Sequence, residues 1–485
     1  MQFNSLAFFG FFGIFYVIYL VLQRRLWLQN LWLLLASYVF YGLFSWRFLP
    51  VLIFITLSDF CLGILLGRFV TPATGKRAIR KILISISLMI DLGLLAFFKY
   101  NNFFIDDFTR ALNSIGIGVD LVTLNILLPI GISFYALKSL SYTLDVYRGR
   151  QIPSNNLLEY GNFIAFFPAL LAGPIDRPGK LLPQIHQPRR INPNQFAAGF
   201  SLILWGYFKK LVIADNMAII ANQIFQVGND AHGLDILIGI LAFTIQIYGD
   251  FSGYSDIARG FARLMGFELM INFILPYFAL NPADFWQRWH ISLSEWLRDY
   301  IFFPMRRMVL TWQIKNTMLW ALLLPPLITM LVSGLWHGTG WNFILWGLYH
   351  GLLLIIYRVL TNLTIPKNLA EFGSSRLGVL MRMGIMFSLV SLGWLFFRAD
   401  TVGQAFQLIS KISLIPSSQS VQLINDLLFF SIPLLLVQIW QAVKGDLLVL
   451  TKLRFPVQLL VNSLILVWIV VFGNHQFTEF IYTQF

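Results

Sequence analysis

The sequence predicts an all-α, multi-pass membrane protein, and three observations carry that reading. Of its 485 residues, 58% are hydrophobic and 12% are charged, about half the charged share of a soluble protein. The mean hydropathy of +0.72 implies more apolar surface than a globular core can hide, so the solvent is lipid. The apolar residues also fall into runs close to the ~20 residues that a spanning helix needs.

Those runs lie near 6–23, 31–46, 48–67, 82–98, 121–137, 196–213, 235–249, 317–335, 341–357, 380–397, 427–442 and 456–473. They predict about eleven or twelve transmembrane helices, the shorter runs marking tilted, broken or re-entrant ones. The first run has no basic flank or small-residue cleavage site, so it reads as a retained span rather than a signal peptide. The net charge of +13 does not point to nucleic acid, because the positives gather between apolar runs as cytoplasmic loops do. Arg24 and Arg25 follow the first run; Arg68, Lys76, Arg77, Arg80 and Lys81 follow the third; Arg148 and Arg150 follow the fifth. This pattern puts the N-terminus outside.

Arg177, Lys180, Arg189 and Arg190 come after one further short apolar stretch, Asn162 to Ala172, interrupted by Pro168. A re-entrant element there restores the alternation. A single cysteine, Cys61, excludes an intrachain disulfide. The texture changes along the chain. Residues 1–120 and 361–485 are plain spans, whereas polar, Gly and aromatic residues invade the runs of 121–360. One membrane domain, 1–485, with its functional core at 121–360, is the simplest organisation. Asp59 and Asp91, exceptions in the first region, read as helix-end or interhelical hydrogen-bonding residues.

Within the core, Asn281-Pro282-Ala283-Asp284 reads as a helix start, with Asn as cap, Pro at the first position and Asp in the first turn. Trp286, Trp289, Leu293 and Trp296 then recur at helical spacing, with Asp284, Arg288, Glu295 and Asp299 on another face. That is an amphipathic helix suited to the membrane interface. His290 falls near its apolar side, either as an interfacial histidine bonded to a neighbour or as a working group. His337 ends the run Trp320 to Trp336, just before Gly338-Thr339-Gly340, where the glycines predict a helix break. There it is either a terminal histidine satisfied by a freed carbonyl or a base able to take a proton from a hydroxyl.

His350 lies thirteen residues on, ~20 Å along an unbroken helix, and reads as packing or support. His186, His232 and His475 lie in loops or near segment ends, and no His or Cys spacing suggests a metal site. The most polar intramembrane run is Gln246 to Asp256. Its Gln246, Tyr248, Asp250, Ser252 and Tyr254 either hydrogen-bond a polar substrate or serve as interhelical glue. Lys209 and Lys210 close a span, either neutralising phosphates of a nucleotide-like donor or, more simply, snorkelling to the interface.

Together these stretches resemble the membrane-bound O-acyltransferase family, in the branch of the bacterial alginate O-acetyltransferases. The matching segments are Pro129 to Tyr135, Ala172 to Ile175, Gln246 to Asp256, Phe285 to Ser294 with Trp296 to Tyr300, Gly334 to Gly338, and the aromatic tail Phe480 to Phe485. The resemblance runs in order along nearly the whole chain. It implies a ring of helices around a tunnel, with His337 as catalytic base, His290 supporting it, and Trp336 and Trp289 against the substrate. The sequence departs from the family pattern after Tyr300, where it reads Ile301-Phe302-Phe303-Pro304-Met305-Arg306-Arg307.

The resemblance further implies an acyl group, acetyl, taken from acetyl-CoA or an acyl carrier thioester, with no permanently bound cofactor. The acceptor is a hydroxyl of an extracytoplasmic esterase-like acetyltransferase partner or of an envelope polysaccharide, and the setting is the bacterial inner membrane. A transporter or flippase without covalent chemistry shares the broken helices but calls for inverted repeats, which the sequence does not display. A membrane scaffold is a third possibility.

Overall fold

The computed structural model describes residues 3–69, 76–117, 127–227, 231, 233–361, 367–474 and 480–481. His232, His475, residues 121–126 of the fifth apolar run and residues 482–485 of the tail lie outside them. Among the described residues every regular element is helical, apart from one isolated bridge between Gly233 and Ile412. Ten segments are long and apolar enough to cross a membrane. One of them, Leu26–Arg68, is interrupted at Trp46–Phe48 into two helices of 20 residues each, Leu26–Ser45 and Leu49–Arg68.

The fifth run is a correction. Among the described residues it is not one of the spanning segments: Gly131, at φ +77°, turns the chain, and the helix begins only at Ile132. A side chain at Gly131 would also meet the Leu170 carbonyl. The resulting helix, Ile132–Tyr147, is 16 residues long and buried on nearly every side. Hydropathy misplaced it because the turn at Gly131 falls inside the apolar stretch. The polar residues that follow are buried by packing rather than exposed at a membrane surface.

The chain divides into two compact units. The first comprises residues 1–203 with 257–270. Asp59 there accepts hydrogen bonds from Ser87 at 2.9 Å and Ser139 at 2.6 Å, across three helices, so it acts as the interhelical residue expected. The Asn162 stretch is interrupted, as its sequence indicates. Helix Leu157–Ala165 stops at Phe166, and a short helix Phe167–Leu170 carries Pro168 in its first turn, where a missing N–H costs nothing. Arg189, counted above as a loop charge, is buried. It donates to Tyr19, Gln29 and Asn30 at 2.6–2.9 Å and lies over the Phe267 ring.

The second unit comprises residues 204–256 and 271–483. Its two central helices, Thr317–His337 and Trp341–Thr361, pack backbone against backbone. A Cβ at Gly334 would strike the Phe343 carbonyl, and one at Gly347 the Met330 carbonyl. Only glycine lets the two main chains approach this closely.

Candidate active site

The helix start at residues 281–284 forms as its sequence dictates. The Asn281 side chain accepts from the Asp284 N–H at 2.8 Å, Pro282 opens the helix, and Asp284 pairs with Arg288 at 2.6 Å. The helix does not continue. It ends at Arg288, Trp289 is extended, and His290 takes a left-handed backbone at φ +41° before a second short helix, Ile291–Leu297. The expected single helix is therefore two short pieces, each buried on one side, and Trp289 and His290 are both 0% exposed.

The cause is competition for backbone groups. The Asn272 carbonyl takes the Ile291 N–H at 3.0 Å, and its side-chain oxygen takes the Ser292 hydroxyl at 2.7 Å. The Ile274 N–H donates to the Arg288 carbonyl at 3.0 Å. Asn272 in turn donates to Ser255 at 3.1 Å, which ties the break to the long helix Leu234–Leu264. A non-glycine residue in this region costs about 1–3 kcal/mol, and here the hydrogen bonds on both sides hold it.

His337 ends its helix, as its sequence predicts, and Gly338 is extended. A Cβ on Gly338 would overlap the Phe343 ring, which would have to shift to admit any other residue. The two breaks bring the histidines together: the His290 and His337 rings lie 6.3 Å apart between centroids. Trp336 sits 5.6 Å from His290 and 4.9 Å from His337. Phe251 meets His290 edge-on at 4.6 Å, while Trp346 and Phe397 meet His337 at 5.1 and 5.4 Å.

His350 is also close, because the chain between it and His337 turns at 338–340 instead of rising as one helix. Trp346 stands between them, 4.9 Å from His350, and neither His350 ring nitrogen has a hydrogen-bond partner among the described residues. Burial pushes the His290 imidazole, which lies outside the ten spanning segments, down to about 3, so it is neutral at physiological pH.

The structure sorts the other predicted residues. Trp336 and Trp289 line this aromatic cage, Trp289 lying tilted against Trp394 at 4.8 Å, and Tyr248 lies 6.3 Å from Trp289. The Gln246 side-chain oxygen is buried without a hydrogen-bond partner among the described residues. Asp250, Ser252 and Tyr254 belong to a different cluster. Lys210 pairs with Asp250 at 2.6 Å and Asp215 at 2.9 Å, while Lys209 donates to Ser252 at 3.0 Å and Asp256 at 2.7 Å.

Both lysines are at most 3% exposed, which corrects the snorkelling expectation. They sit on a π-helical turn, Phe208–Ala214, that aims both at carboxylates inside the fold. The tail joins this cluster: the Ile481 N–H donates to Asp250 at 2.8 Å, and Phe480 packs on Tyr254 at 4.9 Å. Sequence reasoning missed Asn272, which carries no motif. It also missed Trp346 and Phe397 as neighbours of His337, although both stand in aromatic clusters within apolar runs.

The family model described as "MBOAT, membrane-bound O-acyltransferase family" matches residues 33–392. The chain belongs to this family. Among its relatives, a "Probable alginate O-acetylase" of Azotobacter vinelandii is 38% identical over 78% of this chain and 72% of its own length. A "Peptidoglycan O-acetyltransferase" of Helicobacter pylori is 31% identical over 84% of this chain and 79% of its own length. A "Teichoic acid D-alanyltransferase" of Bacillus subtilis is 31% identical over 56% of this chain and 69% of its own length. The protein is a multi-pass membrane O-acyltransferase.

Proposed function

We propose that this enzyme transfers an acetyl group from a cytoplasmic thioester to a hydroxyl of a bacterial envelope polymer, directly or through an extracytoplasmic partner protein, with His337 as general base. The alginate, peptidoglycan and teichoic acid named for the relatives are all envelope polymers, and each named reaction moves a small acyl group. The observation that carries the reading is the pair of buried imidazoles 6.3 Å apart inside an aromatic cage. The surrounding rings keep out competing water.

His337 takes the proton of the acceptor hydroxyl as its oxygen attacks the thioester carbon. A C–O bond forms, the C–S bond breaks, and the proton passes from His337 to the departing thiolate. His290, neutral and held rigidly by its left-handed backbone, donates an N–H to the oxyanion formed on the way.

The test is His337→Ala in producing cells, with mass analysis of O-acetyl groups on the envelope glycan and the membrane level of the protein checked in parallel. Acetylation should fall to background. Unchanged acetylation at a normal protein level would sink this reading.

A further inference from the structure

The first unit holds two buried acids that acyl transfer does not use. Asp59 and Asp91 are each 0% exposed, on the helices Leu49–Arg68 and Lys76–Leu95. Both lie within candidate spans, where lipid offers no water to solvate a charge. Ser87 brings the two together. Its hydroxyl reaches Asp59 at 2.9 Å, and Asp91 stands one turn further along the same helix face. The two carboxyl groups come within hydrogen-bonding reach of each other.

Their surroundings differ. Asp59 has a hydroxyl on each oxygen, Ser87 on Oδ1 and Ser139 on Oδ2 at 2.6 Å, and Tyr160 backs Ser139 at 3.1 Å. Asp91 has no such donor: neither of its oxygens has a hydrogen-bond partner among the described residues. The Tyr135 hydroxyl beside it, on a side chain 1% exposed, is unpartnered as well. Among the described residues neither aspartate has an ion pair with a lysine, arginine or histidine. Lys138 adjoins Ser139 in the chain, but its ammonium lies 5.1 Å over the Phe163 ring and is drawn to Asp176. The other titratable groups facing the pair are Tyr142 and Tyr160, phenols that burial keeps neutral, while Tyr41 packs on Tyr135 at 6.3 Å.

Two carboxylates cannot hydrogen-bond to each other, because neither has a hydrogen to give. As two anions they would also repel, with no cation to offset them. One proton resolves both conditions, and the asymmetry says where it sits. Donors on both oxygens hold Asp59 as the anion, and Asp91, which has none, carries the O–H. We propose that Asp59 and Asp91 form an intramembrane proton site, in which the Asp91 O–H donates to the Asp59 carboxylate. The shared proton joins Leu49–Arg68 to Lys76–Leu95, and Ser139 extends the link to Ile132–Tyr147. The helices close tightly here: a Cβ at Gly63, one turn after Asp59, would strike the Tyr142 ring. A proton suits that packing, whereas a metal ion calls for a shell of about six oxygens.

The site ties the fold to pH. An exposed aspartate releases its proton at about pH 3.9, so near neutrality the folded chain holds one proton more than the unfolded chain. Linkage then lowers stability as pH rises, until the pair ionises.

The test is infrared spectroscopy and thermal melting of the purified full-length protein in nanodiscs of zwitterionic lipid. Near neutral pH the wild type should show the carbonyl stretch of a protonated carboxylic acid, shifted in heavy water, and Asp91→Asn should lose that band. Asp91→Asn keeps the hydrogen bond, because its amide N–H replaces the O–H. Its melting midpoint near neutral pH should stay close to that of the wild type, and should fall less as pH is raised. Asp91→Leu has no donor for Asp59 and should melt lower. An acid band that Asp91→Asn leaves unchanged, or no band in the wild type, overturns the proposal. So does an Asp91→Asn midpoint as low as that of Asp91→Leu. A wild-type midpoint raised by sodium chloride, but not by choline chloride at equal ionic strength, would make this a metal-ion site and also overturns it.

Discussion

The lysine–aspartate cluster and the histidine cage both bury polar groups beside the helix Leu234–Leu264, yet they surround them differently. Lys209 and Lys210 face Ser252 and three carboxylates at 2.6–3.0 Å, all supplied by the chain itself. His290 and His337 face Trp336, Trp346, Phe251 and Phe397. A buried charge matched by its own fold is occupied with holding that fold. A buried imidazole among rings carries no such charge to match and, on the function proposed above, faces the substrate. The sequence showed lysines and histidines inside apolar runs alike, and it is the neighbours that separate structure from chemistry.

Four substitutions or conditions test that division, the largest effect first. His337→Ala should lower acetyl transfer about 10²–10⁴-fold with little change in the melting temperature of the detergent-solubilised protein. Lys210→Met should do the reverse. It strands Asp250 and Asp215, and breaking a buried pair costs about 3–5 kcal/mol, visible as a lower denaturation midpoint. A melting curve unchanged by Lys210→Met would break the comparison. His290→Asn should reduce transfer about tenfold to a hundredfold and leave stability nearly intact, because Asn tolerates the left-handed backbone. A variant that unfolds instead would move His290 to the structural side.

The smallest effect is a pH dependence. The unfolded chain protonates His290 near 6.5, whereas the folded imidazole resists until about 3. Stability from the neutral ring is therefore complete above pH 6.5 and declines as pH falls toward 3. The slope is at most about 1.4 kcal/mol per pH unit for this one group. Thermal melts of the wild type and His290→Asn between pH 7 and 5 should differ in slope by that contribution.

What the sequence made legible was local. The start at Asn281-Pro282-Ala283-Asp284 and the break at Gly338 were readable because capping, proline and glycine act within a few residues. The spans were readable because lipid enforces apolar runs. The break at His290 was not, since Asn272 creates it through hydrogen bonds from a segment with no turn signal of its own. Nor was the burial of Lys209 and Lys210. Lys210 finds Asp250 forty residues later in the chain, and a π turn sets its direction. The fifth apolar run was misread because hydropathy does not distinguish burial in protein from burial in lipid.

The contact between Ile481 and Asp250 ties together groups 231 positions apart, and that separation has a consequence in time. At about 5–20 residues per second of synthesis, Asp250 enters the membrane roughly 10–50 s before the N–H that completes its hydrogen bonding exists. During that interval Lys210 must keep the carboxylate satisfied without it, so the cluster is complete only once Ile481 has been made. A chain stopped before Ile481 would carry all ten candidate spans and lack this hydrogen bond to Asp250.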